Sequence, residues 1–347
     1  MGWGPAGANT TTAGTPTPTL QVNFETSRIR FHVRSFFGSA SRRSRGLRMS
    51  LEQRLIQLLA TGISNGAIYA LLGLGLVVVY STTRIVNVAI GEFATFGALI
   101  TVSLLAAGVP FPVAIPAALA AVMVLAAGVY RVALQPARQK SAGGLTLLII
   151  SIALHLALKG VALILWGTRS YTLPAFTPGT VRISLAVLQK QHLWILGLAA
   201  LVMLALWLGF NYTVRGRALR ASAVNPVGAR LMGIPVMAMG GAAFALSAGL
   251  AALSGVMITP LSLATYDMGF MLGLKGFVGA VLAGLHNYPV TVLGCLFLGV
   301  VEAMAAGLLP SGYRDAVAFI MLIAVLLWRA LPALRHGVLY SEEAVRE

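Results

Sequence analysis

From Leu55 onward the chain is a succession of long apolar runs broken by short polar joints. A helix needs about 20 mostly apolar residues to cross the hydrocarbon layer of a membrane. That length predicts helical spans near 55–80, 90–109, 112–134, 145–167, 192–214, 235–258, 268–286, 289–309 and 314–331. The expected fold class is therefore all-α, a polytopic transmembrane helical bundle of 8–9 spans. Within the runs, Gly62-x-x-x-Gly66 and Gly269-x-x-x-Gly273 are spacings that let helix backbones approach closely in lipid. Helices that slide against one another and ordinary close packing both use that device.

The polar joint that stands apart is Arg215 to Ile234. It carries Arg215, Arg217, Arg220 and Arg230 and no acid. Short loops rich in Lys and Arg stay on the cytoplasmic side. The joint also reads as folded. Arg217 to Val224 is rich in Ala, Leu and Arg, all good helix formers, including Ala218 and Ala221. Asn225 offers an N-cap oxygen, Pro226 a pre-set first helical position, and Gly233 a helix stop. The pattern predicts two short helices meeting at Asn225-Pro226, with Leu219, Ala223, Val227, Leu231 and Met232 as an apolar surface for another protein. A loop that merely fixes topology is the plainer alternative.

Alternating outward from that joint places 131–145, the connection at Arg84 and the tail after Arg329 on the same side. The connections at 109–112 and 259–267 fall on the other. The loop 168–191 breaks the charge rule with Arg169, Arg182 and Lys190, but its prolines and the alternation from Val181 to Val187 predict a small ordered outer element. Nine crossings put the N-terminus outside, against the rule for an arginine-rich tail. Eight crossings, with Ser81 to Phe96 not spanning, remain open.

Composition agrees with this picture: 58% of residues are hydrophobic and 10% charged, where a soluble domain has roughly 25% charged. The net charge of +16 sits mostly in loops and in the N-terminal tail. Membrane topology accounts for it, and nucleic acid is not an expected partner. Residues 1–48 hold seven arginines against one glutamate and no signal-peptide core. They are expected to be a disordered basic extension, with Met49 reading as a natural start, so that the extension need not be translated. Residues 336–347 read as a C-terminal cytoplasmic tail. One cysteine, Cys295, gives no disulfide framework, and the histidines are scattered singly, so neither a metal nor a cofactor is expected. No Gly-x-x-x-x-Gly-Lys-Ser/Thr loop occurs.

Ionisable groups inside spans are costly and point to function by default. Glu92, Lys275 and Glu302 are the candidates for pathway or gating, with Lys159 and His155 one turn apart in the fourth span. Mutual neutralisation of Lys275 and Glu302 is the alternative. Asn65, Tyr69 and Asn87 are polar groups that line a pathway or join helices.

Three strings carry a resemblance. Thr213 to Ile234 is similar to the cytoplasmic coupling loop of branched-chain amino acid ABC transporter permeases. Ile68-Tyr-Ala-Leu followed by Arg84-Ile-Val-Asn-Val-Ala-Ile-Gly-Glu-Phe93 resembles that family's Arg-Ile-x-Asn-Phe-Ala-His-Gly-Glu pattern, with Val88 and Ile90 where the family usually carries Phe and His. Gly273 to Gly284 resembles its Lys-Ala-Phe-Val-Ala-Ala-Val-Leu-Gly-Gly segment. The resemblance implies a permease domain over 49–335 in a bacterial inner membrane, and a subunit that is not itself an enzyme. It further implies two separate ATPase subunits, a second homologous permease and an extracytoplasmic substrate-binding protein as partners. The ATPase would touch Arg215, Arg217, Ala218, Arg220, Ala221, Asn225, Pro226, Ala229, Arg230, Leu231, Met232, Gly233 and Ile234. Close relatives extend the cargo to urea and short amides, and an ion-coupled secondary transporter is the alternative from another class.

Overall fold

A computed structural model describes residues 51–140, 143–183, 186–285, 287–308 and 314–335. The extension 1–48 and the tail 336–347 lie outside the described residues.

The bundle is built around α1 (Leu51–Thr83), a helix of 33 residues and hence about 50 Å long. Its sequence from Ala67 to Val79 is apolar on every side, which is the signature of a helix with neighbours all round. Those neighbours follow: α2 (Ile90–Ala106), α3 (Phe111–Val129), a π-helical turn at Tyr130–Leu134, α4 (Gln135–Gln139), α5 (Gly144–Trp166), a hairpin of β1 (Thr180–Ile183) and β2 (Ala186–Gln189), α6 (Lys190–Tyr212), α7 (Val214–Val224), α8 (Pro226–Leu231), α9 (Val236–Ile258), α10 (Met268–Leu282), α11 (Tyr288–Leu308) and α12 (Arg314–Arg335). Helices α11, α9, α10 and α6 pack against α1, where Ile68, Leu71, Leu72, Val77 and Val79 have no exposed surface.

Each of the nine expected segments is helical. Six rods are long and apolar enough to cross a membrane: α1, the continuous Phe111–Gln139 unit, α5, α6, α9 and α11. Three apolar helices are shorter, namely α2, α10 and Ala316–Trp328 within α12. The 131–139 stretch, expected as a polar joint, instead continues α3 through the π-helical turn. That turn aims Tyr130 at the start of α9, where its ring lies against Gly240 and Gly241 and Arg138 Nη1 donates to its hydroxyl at 2.9 Å.

The outer helices expose apolar side chains. Val124 on α3, Ile164 on α5, and Leu201 and Trp207 on α6 are all more than half exposed, which apolar residues tolerate only against an apolar solvent or a partner.

Small residues set the closest helix contacts. A Cβ on Gly62 would stand 2.7 Å from Val300 Cα, and one on Gly66 would stand 2.7 Å from Leu296 Cα. The order of these contacts makes α1 and α11 antiparallel, with no room for a side chain between them. Gly255 on α9 is equally constrained, because its Cβ would run into the Ala94 carbonyl of α2. Gly255→Val should therefore cost more than the about 1–3 kcal/mol of ordinary overpacking, since backbone rather than a side chain must move. Size-exclusion chromatography in detergent should show the folded peak lost. Gly160→Ala, whose Cβ meets nothing within 4 Å, should leave that peak unchanged.

The segment between α1 and α2 does not lie on a surface. Ile85, Asn87 and Ala89 are buried, and Ser151 Oγ on α5 donates to Val86 O at 3.1 Å. Arg84 turns the chain with φ 57, while its amide closes the end of α1 on Tyr80 O at 2.8 Å. Helix α2 thus begins inside the bundle, beside the start of α10: a Cβ on Gly269 would stand 2.5 Å from Gly91 O.

The described residues of the 168–191 loop include two paired strands, as the alternation predicts. Its strands pair from Thr180↔Gln189 to Ile183↔Ala186. Tyr171 and Ala264 exchange backbone hydrogen bonds at 2.9 and 2.8 Å.

Candidate functional site

Helices α7 and α8 form a foot joined to the bundle by almost no slack. Only Thr213 separates α6 from α7, and its hydroxyl makes two contacts: Oγ1 donates to Gly209 O at 2.6 Å and accepts from Gly216 N at 3.0 Å. The second is an N-cap, which typically contributes about 1 kcal/mol. Gly216 sits so close that a Cβ there would overlap the Gly209 carbonyl.

The junction to α8 is capped in the same way. Asn225 Oδ1 accepts from Gly228 N at 2.9 Å, with Pro226 at the first helical position. Beyond α8, Ile234 N donates to Ala229 O and Gly233 N to Arg230 O, both at 2.9 Å. These are the two bonds of a Schellman stop, and they require the positive φ of 77 that Gly233 adopts.

Burial sorts the residues of the foot. Leu219, expected on the docking surface, instead faces the bundle beside Val78 and Ala243, because α7 lies against α1 and α9. Ala229 is also buried, Ala218, Ala221 and Ile234 are half-buried, and Asn225, Pro226 and Gly233 are exposed. The outward side carries Val227, Leu231 and Met232 at 65%, 84% and 82% exposure, with Arg215, Arg217, Arg220 and Arg230 also exposed. Arg220 is oriented by its Nη1 donating to Asn211 Oδ1 at 2.8 Å.

Tyr288 links the foot to the core. Its ring lies 5.5 Å from that of Phe210, and its hydroxyl is 3.2 Å from Ser81 Oγ near the end of α1. Nothing in the sequence flags this residue, since an aromatic at a helix start is unremarkable by pattern.

Inside the bundle the polar candidates separate into three places. Tyr69, Lys275 and Glu302, from α1, α10 and α11, meet: Tyr69 Oη donates to Glu302 Oε2 and Lys275 Nζ to Glu302 Oε1, each at 2.8 Å. The ammonium also stands 5.7 Å from the centre of the Tyr69 ring. Glu302 has no exposed surface. Charge, hydroxyl and ring therefore satisfy one another, and the mutual neutralisation of Lys275 and Glu302 is what the geometry displays.

Glu92 is equally buried and lies on α2 with Oε1 3.0 Å from His155 Nδ1 on α5, without a hydrogen bond between them. Lys159, one turn on from His155, lies over the Tyr266 ring at 5.7 Å. Asn87 is in the third place, between α1 and α2, where it borders a cavity. Asn65 is buried on α1, one helical turn before Tyr69. Among the described residues no cluster of three or more His, Cys, Asp or Glu could hold a metal ion.

Apolar rods of membrane-crossing length around a buried central helix, with a capped helical foot bearing arginines, define a polytopic membrane protein of the helical-bundle class. Residues 58–326 match the family model described as branched-chain amino acid transport system / permease component. The chain belongs to that family.

It is 31% identical over 289 residues to the high-affinity branched-chain amino acid transport system permease protein LivH of Salmonella typhimurium, covering 78% of this chain and 92% of the relative. BraD of Pseudomonas aeruginosa, of the same description, is 32% identical over 291 residues, covering 79% and 94%. The probable branched-chain amino acid transport permease protein LivH of Methanocaldococcus jannaschii is 27% identical over 272 residues, covering 74% and 85%.

Proposed function

We propose that this chain is a membrane-spanning permease subunit of an ATP-binding cassette importer for branched-chain amino acids. The foot is the observation that carries the proposal. Its caps at both helix starts and its Schellman stop make it stiff, and its direct joins to α6 and α9 would turn a push on the tip into motion of two long helices. A conformational equilibrium shifts only through contacts that differ between states, so a rigid coupling element is what such a machine requires.

In this reading two ATPase subunits engage the tips of the two permeases, on Val227, Leu231, Met232 and the surrounding arginines. A second, homologous permease completes the pathway, and an extracytoplasmic binding protein delivers the cargo. The subunit is multi-pass in the bacterial inner membrane, with the foot on the cytoplasmic side and the β1–β2 hairpin outside. Nine crossings follow if α2, α10 and α12 each count as one. The short α2 and α10, which meet inside the bundle, are then half-helices, and the buried segment 85–89 extends α2. The permease domain is 49–335, and nucleotide hydrolysis belongs to the partner subunits. Asn87 and Glu92 lie beside the pathway, whereas Tyr69, Lys275 and Glu302 brace the three helices that must move together.

The test is uptake of labelled leucine by the complete complex in proteoliposomes. Arg217→Glu should reduce uptake by more than about tenfold, which needs only about 1.4 kcal/mol of lost interaction, with membrane insertion intact. Uptake at the wild-type rate would refute the coupling role.

A further inference from the structure

We infer that the cavity beside Asn87 is a binding subsite for the cargo itself, taking the carboxylate and aliphatic tail of a small amino acid. The inference rests on the importer reading above and deepens it.

The cavity measures about 190 Å³, several times the ~30 Å³ that one water occupies in the liquid. Its walls come from three helices and the buried segment before α2: Leu76 on α1, Val88 from the segment, Leu148 on α5, and Phe270 and Phe277 on α10. These side chains offer dispersion contacts and no hydrogen bonds, which suits a branched hydrocarbon tail. The cavity is partly open, and Phe270 in its wall is 40% exposed, so the ammonium of a bound amino acid can stay at the mouth.

Asn87 is the polar exception in the wall, and it is 1% exposed. Its two amide atoms do different work. Oδ1 accepts from Ala89 N at 3.1 Å, holding the turn into α2. Nδ2 is buried with no hydrogen-bond partner among the described residues. A buried donor without an acceptor is costly, and a ligand that brings an acceptor into the cavity removes the cost.

The field at that point selects which acceptor. Helix α2 begins three residues after Asn87, at Ile90 in the cavity wall. Helix α10 runs antiparallel past it, with Gly273 beside Gly91 and Gly269 beside Thr95, and gives the cavity its flank from Phe270 to Phe277. Helix N-termini carry partial positive charge and attract anions. Discontinuous helices aimed at a substrate carboxylate near mid-membrane are an established device for such recognition. A carboxylate oxygen on Asn87 Nδ2, with the tail against Leu148 and Phe277, satisfies donor, field and walls together.

Asn87→Asp separates the two roles of the amide. Aspartate keeps the oxygen that closes the turn on Ala89 N, a bond that Asn and Asp side chains both make two residues on, but it replaces the donor with a second anionic acceptor. The complete complex with its ATPase and binding-protein partners should be reconstituted and its maximal leucine uptake measured at saturating binding protein. Asn87→Asp should lower that rate at least about tenfold while the thermal midpoint of the complex stays at the wild-type value.

Leu148→Trp, which fills the cavity, should depress the leucine rate more than the valine rate and so shift their ratio. Wild-type uptake in Asn87→Asp overturns the subsite and leaves the importer reading standing, as does a fall that tracks lost thermal stability. An unchanged leucine-to-valine ratio in Leu148→Trp would mean that lipid or nothing fills the cavity, and also overturns the subsite. A wild-type complex that moves neither amino acid overturns the importer reading, and the subsite with it.

Discussion

Lys275→Met is expected to lower the thermal midpoint of the detergent-solubilised protein by roughly 6–20 °C. The figure follows from geometry. Glu302 is wholly buried between α1, α10 and α11 and accepts from Lys275 Nζ and Tyr69 Oη at 2.8 Å. Removing one partner of a buried pair leaves an uncompensated charge and costs about 3–5 kcal/mol. A domain of this size shifts about 2–4 °C per kcal/mol. Replacing the whole group with Tyr69→Phe, Lys275→Met and Glu302→Leu should return the midpoint most of the way, because well-packed apolar substitutes for a buried ion pair are often neutral. Were the single and triple variants equally unstable, the loss would be one of packing and not of charge. A scanning fluorimetry series on the wild type, the single variant and the triple variant decides this.

That brace was partly legible in the chain. Lys275 and Glu302 stand out because charges are rare in apolar runs, and neutralisation across neighbouring helices was one of two readings open to them. Tyr69 could not be assigned to them from sequence, since it is 233 residues from Glu302. The same holds for Glu92 and His155, which only the packing of α2 on α5 brings to 3.0 Å.

Local chemistry was easier to read. The break at Asn225-Pro226 and the stop at Gly233 follow from capping rules that need no tertiary information, and the structure has both. Which face of α7 turns inward is a tertiary matter, so Leu219 was placed on the wrong side. Hydropathy also marked every apolar rod. It could not distinguish a span from a buried segment entering the bundle part-way, because both are equally apolar. Ser81 to Phe96 is that case: α1 ends at Thr83, the chain runs buried, and α2 starts at Ile90.

The foot supplies the second large effect. Gly216→Val should leave the complex assembled and hydrolysing nucleotide but reduce leucine uptake by more than about tenfold, a change that about 1.4 kcal/mol of lost coupling suffices to produce. Gly216 is where α7 folds back on α6. A side chain there would overlap the Gly209 carbonyl and stand 2.7 Å from Phe210 Cα. Both obstacles are backbone, so α7 must swing away from α6, and the swing moves Leu219 from its place beside Val78 and Ala243. The tip would keep its arginines and apolar residues and hence its capacity to bind, while its transmission to α1 and α9 is lost.

Gly209→Ala is the matched control. A Cβ at Gly209 meets nothing within 4 Å, and alanine in a helix interior is favoured over glycine by about 1 kcal/mol, so uptake should be unimpaired. Parallel assays of hydrolysis and uptake on the two variants separate a broken linkage from a broken docking surface, because loss of docking would silence both activities in Gly216→Val.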